Sequence, residues 1–391
     1  MSKQPLEYLF VTNIPSPYQV DFFNALQAQQ PGSFHVIFCA ASESDRAFQV
    51  PANATFSMEV LASTHRRWMK DWHRNPELNN RLASFSPRLV VIGGSYFMPD
   101  ARTTRSHCLH RGVPWIYWGE NPFKKGSAGV KARLKQYYLA HFLSGAAGAI
   151  GVGSVATETY AAFTPGRPTA SIPYSPDLSP LMSPTPDARG RASQLRRQIL
   201  GSDNGLIVLF SGALTERKAP ELLLAAFESV TRSESNIHLV FVGDGPMREQ
   251  LKPSSDRVHF LGFLNGDTLS DAYLAGDVFV LPSRWHEGWG VVVQEAMAAR
   301  LATIVSDLVG AGVDLIEDGR TGLKFPADNR VELEKQLVRV CSDVVFRRSL
   351  AAEGQRAVAS TSAVPAAARF IQFSEVVLKS VQENPRAISA A

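Results

Sequence analysis

The sequence predicts an α/β protein built from two parallel-sheet domains, and three observations predict it. The chain has 391 residues, too many for one compact domain at roughly 100 to 200 residues each. Short β-branched or apolar runs alternate with helical patterns along almost the whole length, as parallel βαβ construction requires. A stretch rich in Pro and Ser, Ser175 to Pro186, interrupts that alternation near its middle. With 45% hydrophobic and 19% charged residues, the chain has ample core to bury and none of the apolar-poor bias of disorder.

In the first half, strands are expected at Tyr8 to Thr12, Phe34 to Ala40, Leu89 to Ile92, Trp115 to Trp118, Ala149 to Val152 and Ala170 to Pro173, with helices between them. The second half repeats the scheme at Leu206 to Phe210, His238 to Val242, Val258 to Leu261, Val278 to Leu281, Ala302 to Val305 and Leu323 to Phe325. Two Rossmann-like domains result, over residues 1–175 and 205–364. Pro176, Pro180, Pro184 and Pro186 mark a linker region over 176–204, since such a segment cannot hold a helix or an inner strand. Beyond Pro365, the spacing of Phe370, Phe373, Val377, Leu378 and Val381 predicts one closing amphipathic helix over 365–383, followed by a loose tail at 384–391. No internal repeat is visible.

Forty Lys and Arg against 36 Asp and Glu give a net charge of only +4, too weak to announce a nucleic-acid partner. The distribution is uneven, with +7 over residues 1–175 and −3 over the remainder. Cys39, Cys108 and Cys341 are odd in number and far apart, which excludes a disulfide framework and a Cys-based zinc site and fits a reducing, cytoplasmic compartment. No export signal is expected from the first residues. The most apolar stretch, Tyr138 to Gly153, is too short for the roughly 20 residues of a spanning helix.

The densest chemical signal is LPSRWHEGWGVVVQEAMA, residues 281–298, where a buried strand ends at Pro282 and a helix begins near Gly290. Ligands of parallel sheets sit at the carboxyl ends of strands, where a helix N-terminus offers unpaired N–H groups to phosphate. Gly288 and Gly290 allow close approach of that backbone. Glu287 lies in the loop, and Glu295 lies one turn above Val291 on the helix, where a carboxylate can accept both hydroxyls of a ribose. Taken alone, an E-x7-E pair reads as a solvated loop residue and a surface or capping carboxylate, because two Glu at this spacing arise often by chance. SGALTERKAPELLL, residues 211–224, places Arg217 and Lys218 ahead of a second helix, and two exposed charges are the plain alternative there. In LVFVGDGPMREQL, residues 239–251, Gly243 and Gly245 close a tight strand-to-helix turn.

These three segments in this order, with VHFLGF at 258–263 and IVSDLVGAGVDLIEDGRTGLKFP following, resemble the C-terminal domain of retaining glycosyltransferases of family four, which have the GT-B fold. The likeness is close over about residues 205–327 and looser through PSPY and IYWGEN in the first half. It implies two Rossmann-like domains facing a central cleft, with the closing helix crossing back to the N-domain. It also implies a nucleoside-diphosphate sugar as donor substrate and a lipid-linked or glycan acceptor, with neither cofactor nor metal. Carried over, Glu295 holds the ribose, while Glu287 and the loop Gly288, Trp289, Gly290 and Val291 hold the sugar and diphosphate. Lys218 neutralises the leaving diphosphate, the family's partner arginine is either replaced by Arg217 or missing, and Gly212 and Gly243 line the donor site. Glu120, ending the Trp115 to Trp118 strand where relatives place a histidine, is the acceptor-side candidate beside the alternative of a solvated loop glutamate.

The chain departs from the family pattern at named positions. The usual arginine of the G-R-L segment is Ala213, the glycine after the lysine is Ala219, and the glycine after E-A-M-A is Arg300. Asn13 to Tyr18 replaces the glycine-rich first loop. No D-x-D pair is present, and His107, His110, His141 and His286 lack ligand spacing. Two basic segments explain the +7. A helical reading of His65 to Arg74 puts Trp68, Met69 and Trp72 opposite Arg66, Arg67, Lys70 and Arg74, and Lys124, Lys125, Lys131, Arg133 and Lys135 crowd a second stretch. Such faces suit an anionic membrane surface, as a peripheral enzyme on the inner face would need, or equally a domain whose tryptophans are core. A small soluble acceptor, a nucleotide-sugar epimerase and a catalytically silent binding module stay open as rival readings.

Overall fold

The computed structural model describes residues 4–42, 52–65, 72–123, 129–202, 204–231 and 236–384. The chain divides into two compact units, Met1–Asp177 with Ala363–Ala391, and Leu178–Ser362.

The first unit carries β1 (Gln4–Thr12), β2 (Phe34–Phe38), β3 (Met58–Val60), the two-residue β4 (Thr64–His65) and β5 (His73–Arg74), β6 (Phe85–Gly93), β7 (Trp115–Gly119), β8 (Gly148–Gly151) and β9 (Thr169–Ser171). Seven of these form one sheet in the order β3-β2-β1-β6-β7-β8-β9, with parallel neighbours throughout. Strands of this kind are buried on both faces, hence the near-continuous apolar runs such as LVVI and IHLVFV that the sequence shows. The helix Ala363–Glu383 belongs to this unit. Phe370 packs its ring against Tyr8 at 5.1 Å and Phe10 at 5.2 Å and stacks on Trp118 at 6.1 Å, and the Tyr8 and Ser374 hydroxyls share a hydrogen bond of 2.9 Å. This helix, far from β1 in sequence, thus completes the core of the first sheet.

The helical reading of His65 to Arg74 does not hold at the described ends of that stretch. Thr64 pairs with Arg74 and His65 with His73 as antiparallel strands, which brings together ends that a continuous ten-residue helix would hold about 14 Å apart. Arg66, Arg67, Trp68, Met69 and Lys70 lie outside the described residues, as do Lys124 and Lys125 and the tail beyond Asn384.

The second unit carries β10 (Leu206–Ser211), β11 (Ile237–Val242), β12 (Val258–Gly262), β13 (Val278–Leu281), β14 (Ala302–Ser306) and β15 (Leu323–Phe325). They form a parallel sheet in the order β12-β11-β10-β13-β14-β15. The region read as a linker is partly helical, with a short helix at Ser179–Met182 and a long one at Pro186–Leu200. Pro186 is the first residue of the long helix, where a missing N–H costs nothing, and the Thr185 hydroxyl accepts from the Ala188 N–H at 3.2 Å. Arg191 and Arg196 then tie that helix to Asp271 and Asp277 at 2.8 and 2.7 Å. Among the described residues, no helix is long and apolar enough to cross a membrane.

Candidate active site

In the second unit the strand order reverses between β10 and β13, and the crevice outside the carboxyl ends of such strands is where open α/β sheets bind ligands. The loops that follow these two strands carry the residues singled out by sequence. After β10 the chain turns at Gly212, passes through a short 3-10 helix at Glu216–Lys218, and enters the helix Pro220–Val230. The turn is held from the next strand, since the Gly212 N–H donates to Val242 O at 2.9 Å and the Leu214 N–H to Asp244 O at 2.9 Å. Gly243, at φ +120°, lies so close to the Gly212 carbonyl that a Cβ would collide with it. Glycine is therefore required there by packing of backbone on backbone.

The Lys218 side chain runs past Gly212 and is only 6% exposed. Its Nζ lies 3.0 Å from Glu287 Oε1. Arg217 Nη1 pairs with the other carboxylate oxygen of Glu287, and the Ser283 hydroxyl donates to that oxygen at 3.4 Å. Burial alone would push the Glu287 carboxyl up, but Lys218 and then Arg217 outweigh it and hold it below the usual range. The carboxylate is thus ionised, shared by two cations, and fixed in place. Its backbone is fixed as well. The Glu287 N–H donates to Leu308 O and its carbonyl accepts from the Gly310 N–H, both at 3.0 Å.

Beyond Glu287 and Gly288 the chain buries Trp289, 2% exposed, whose indole donates to Gln294 Oε1 at 2.8 Å. Gln294 in turn donates to the Thr361 hydroxyl at 2.8 Å. The Trp289 side chain is thus committed to the core. Gly290 adopts φ +95° and caps the helix Val291–Ala298, leaving Val291 half-buried in its first turn. Glu295, one turn on, accepts a hydrogen bond of 2.8 Å from the hydroxyl of Tyr273, a fully buried side chain. Burial, and then the Glu295 charge, raise the Tyr273 hydroxyl well above the ordinary tyrosine value, so it remains a donor. Neither Tyr273 nor Ser283 was legible as a site residue. An aromatic in an apolar helix pattern reads as core, and a serine after Pro282 carries no chemical signal.

Two departures from the family pattern have a backbone consequence. Ala219 sits at φ +47° and Arg300 at φ +62°, the left-handed region that costs a residue with a Cβ about 1–2 kcal/mol. The glycines expected at these positions are the residues that conformation favours. Ala213 is exposed and carries no charge, and Arg217 is the arginine gathered with Lys218 on Glu287.

Glu120 belongs to the first unit, exposed just past the end of β7. Its backbone carbonyl accepts from the buried Tyr160 hydroxyl.

Residues 193–357 match the family described as glycosyl transferases group 1. The chain is 32% identical over 171 residues to alpha-D-kanosaminyltransferase of Streptomyces kanamyceticus, covering 42% of this chain and 44% of that protein. It is 31% identical over 158 residues to phosphatidyl-myo-inositol mannosyltransferase of Mycolicibacterium smegmatis, covering 39% and 41%. The matches therefore span under half the length of these relatives. Among solved structures, HepE of Anabaena in complex with UDP superposes with a TM-score of 0.73 at 17% identity, covering 95% of this chain and all of that one. The fold is that of the GT-B glycosyltransferases.

Proposed function

We propose that the chain is a retaining glycosyltransferase that moves a sugar from a nucleoside-diphosphate sugar to a lipid-linked or glycan acceptor, in synthesis of a bacterial cell-surface polysaccharide or glycoconjugate. The observation that carries this reading is the pairing of Lys218 and Arg217 with one carboxylate, Glu287, in the crevice between β10 and β13. Two cations against one anion leave a net positive charge beside the first turn of the helix Val291–Ala298. A departing diphosphate needs such a site, because negative charge grows on it as the anomeric bond breaks.

In the proposed reaction the bond between the anomeric carbon and the diphosphate oxygen breaks, and the acceptor oxygen bonds to that carbon from the same face. The acceptor proton passes to the departing phosphate oxygen, so no side-chain nucleophile is required. Lys218 and Arg217 take up the developing charge, which makes a metal unnecessary in this scheme. Glu287, through its backbone loop and carboxylate, positions both cations and borders the sugar. Glu295, held by Tyr273, accepts the ribose hydroxyls. The nucleotide bound by the structural relative supports a nucleotide-sugar donor here, and the phosphatidyl-inositol substrate in another relative's name supports a lipid-linked acceptor. The odd number and wide spacing of Cys39, Cys108 and Cys341 support a reducing compartment, with the enzyme peripheral on the inner face of the membrane.

The test begins with a thermal-shift screen against UDP, GDP, ADP and their sugars, since a ligand bound only by the native state raises its stability. With the donor so identified, Lys218→Ala should lower turnover by at least about tenfold while changing donor affinity less. Turnover within about a factor of two of wild type would remove the leaving-group role.

A further inference from the structure

The helix Val130–Leu143 in the first unit has apolar residues on two opposite faces. Leu139, Phe142 and Leu143 are at most 2% exposed and join the core beneath the sheet. On the far side, Val130, Leu134 and Tyr137 follow one another at i, i+4 and i+7, a single stripe, and they are 74%, 63% and 76% exposed. A surface helix ordinarily turns polar residues to water. Here the middle of the solvent face is apolar. Lys131 and Arg133 stand exposed on either flank of the stripe, and the helix contains no Asp or Glu. Lys135 is turned inward, its ammonium donating to the Pro122 carbonyl.

We propose that this face is the contact of the protein with an anionic bilayer surface. An apolar stripe with a cation on each flank is an arrangement that lies in a membrane interface, with the stripe among the acyl chains and the cations at the phosphates. Charge selects this occupant over a second copy of the chain. Two such helices meeting face to face would bring Lys131 and Arg133 of each against the other, in a half that already carries +7. The inference deepens the lipid-linked acceptor reading and rests on it for its purpose, but vesicle binding tests it without any transfer reaction.

The experiment uses the full chain and sedimentation with vesicles of phosphatidylglycerol and phosphatidylcholine, against pure phosphatidylcholine. Wild type should bind the mixed vesicles more tightly, with binding that weakens as salt rises. Leu134→Ser with Tyr137→Ser should weaken binding by at least about tenfold, because the apolar contribution is lost. Lys131→Ser with Arg133→Ser should weaken it chiefly at low salt. Both pairs should keep the circular dichroism and the donor-nucleotide affinity of wild type. Wild type that ignores anionic vesicles at low salt overturns the proposal. So does a Leu134→Ser, Tyr137→Ser protein that binds as wild type does, or a concentration-dependent dimer that the same pair abolishes, which would make the face a self-association surface. Vesicle binding intact in a protein that transfers sugar only to soluble acceptors would leave this inference standing and remove the lipid-linked acceptor.

Discussion

Replacing Arg300 by glycine should stabilise the unit that holds Glu295. The helix Val291–Ala298 ends in a Schellman motif. The Arg300 N–H donates to Met297 O at 3.1 Å, and the Leu301 N–H donates to Ala296 O at 3.0 Å, with Leu301 buried as the motif's hydrophobic residue. Closing those two bonds forces the residue between helix and strand into the left-handed region, where Arg300 has φ +62°. Its Cβ there costs about 1–2 kcal/mol. Glycine removes that cost and returns about 0.5–1 kcal/mol through its greater freedom in the unfolded chain. The net gain is about 0.5–1 kcal/mol, and for a unit of this size each kcal/mol moves the melting temperature by about 2–4 °C. Arg300 is exposed, so its loss leaves no cavity. Arg300→Ala keeps the Cβ and should gain nothing, which separates backbone relief from loss of the charged chain. Calorimetry on the three proteins decides it. Equal midpoints for the glycine and alanine variants would refute the reasoning, and a glycine variant less stable than wild type would refute it more strongly.

Tyr273→Phe removes the hydroxyl that holds Glu295 at 2.8 Å and should weaken donor-nucleotide binding by about tenfold, since hydrogen bonds to charged groups contribute about 1.5–3 kcal/mol. Titration calorimetry should show that Glu295→Ala is more damaging still and that the double substitution is not additive. Stability should also respond to mild acid. His238 Nδ1 and His259 Nε2 lie 3.0 Å apart with stacked rings. Burial, first in each case, lowers both imidazoles below the ordinary value. Arg257 and the neighbouring His259 lower His238 further, and Asp256 opposes the shift at both residues. The unfolded chain therefore binds protons first, so the contribution is complete above about pH 6.5 and is lost as pH falls below it. Denaturant midpoints between pH 7.5 and 5.5 should fall less steeply for His238→Gln with His259→Gln than for wild type, and equal slopes would dismiss the pair as the source.

The sequence by itself determined the strands and their approximate ends, because strands buried on both faces of a parallel sheet must be apolar runs bounded by turns, a pattern local enough to read. Val278–Leu281 and Leu323–Phe325 form as expected from sequence. The short, half-buried Met58–Val60 strand offered no such run, and Pro186 reads as a helix breaker or as a first helical residue until the packing partner of the helix is known. Sequence also placed Lys218, Arg217, Glu287 and Glu295 in loops and helix starts at strand ends, where spacing along the chain brings them near the crevice. Only the tertiary structure decided that Lys218 and Arg217 share one carboxylate, that Trp289 turns into the core, and that Tyr273 holds Glu295. The partners in the first and third of those contacts stand 22 to 70 positions apart. Such contacts depend on how strands are ordered across the sheet, which no local pattern encodes.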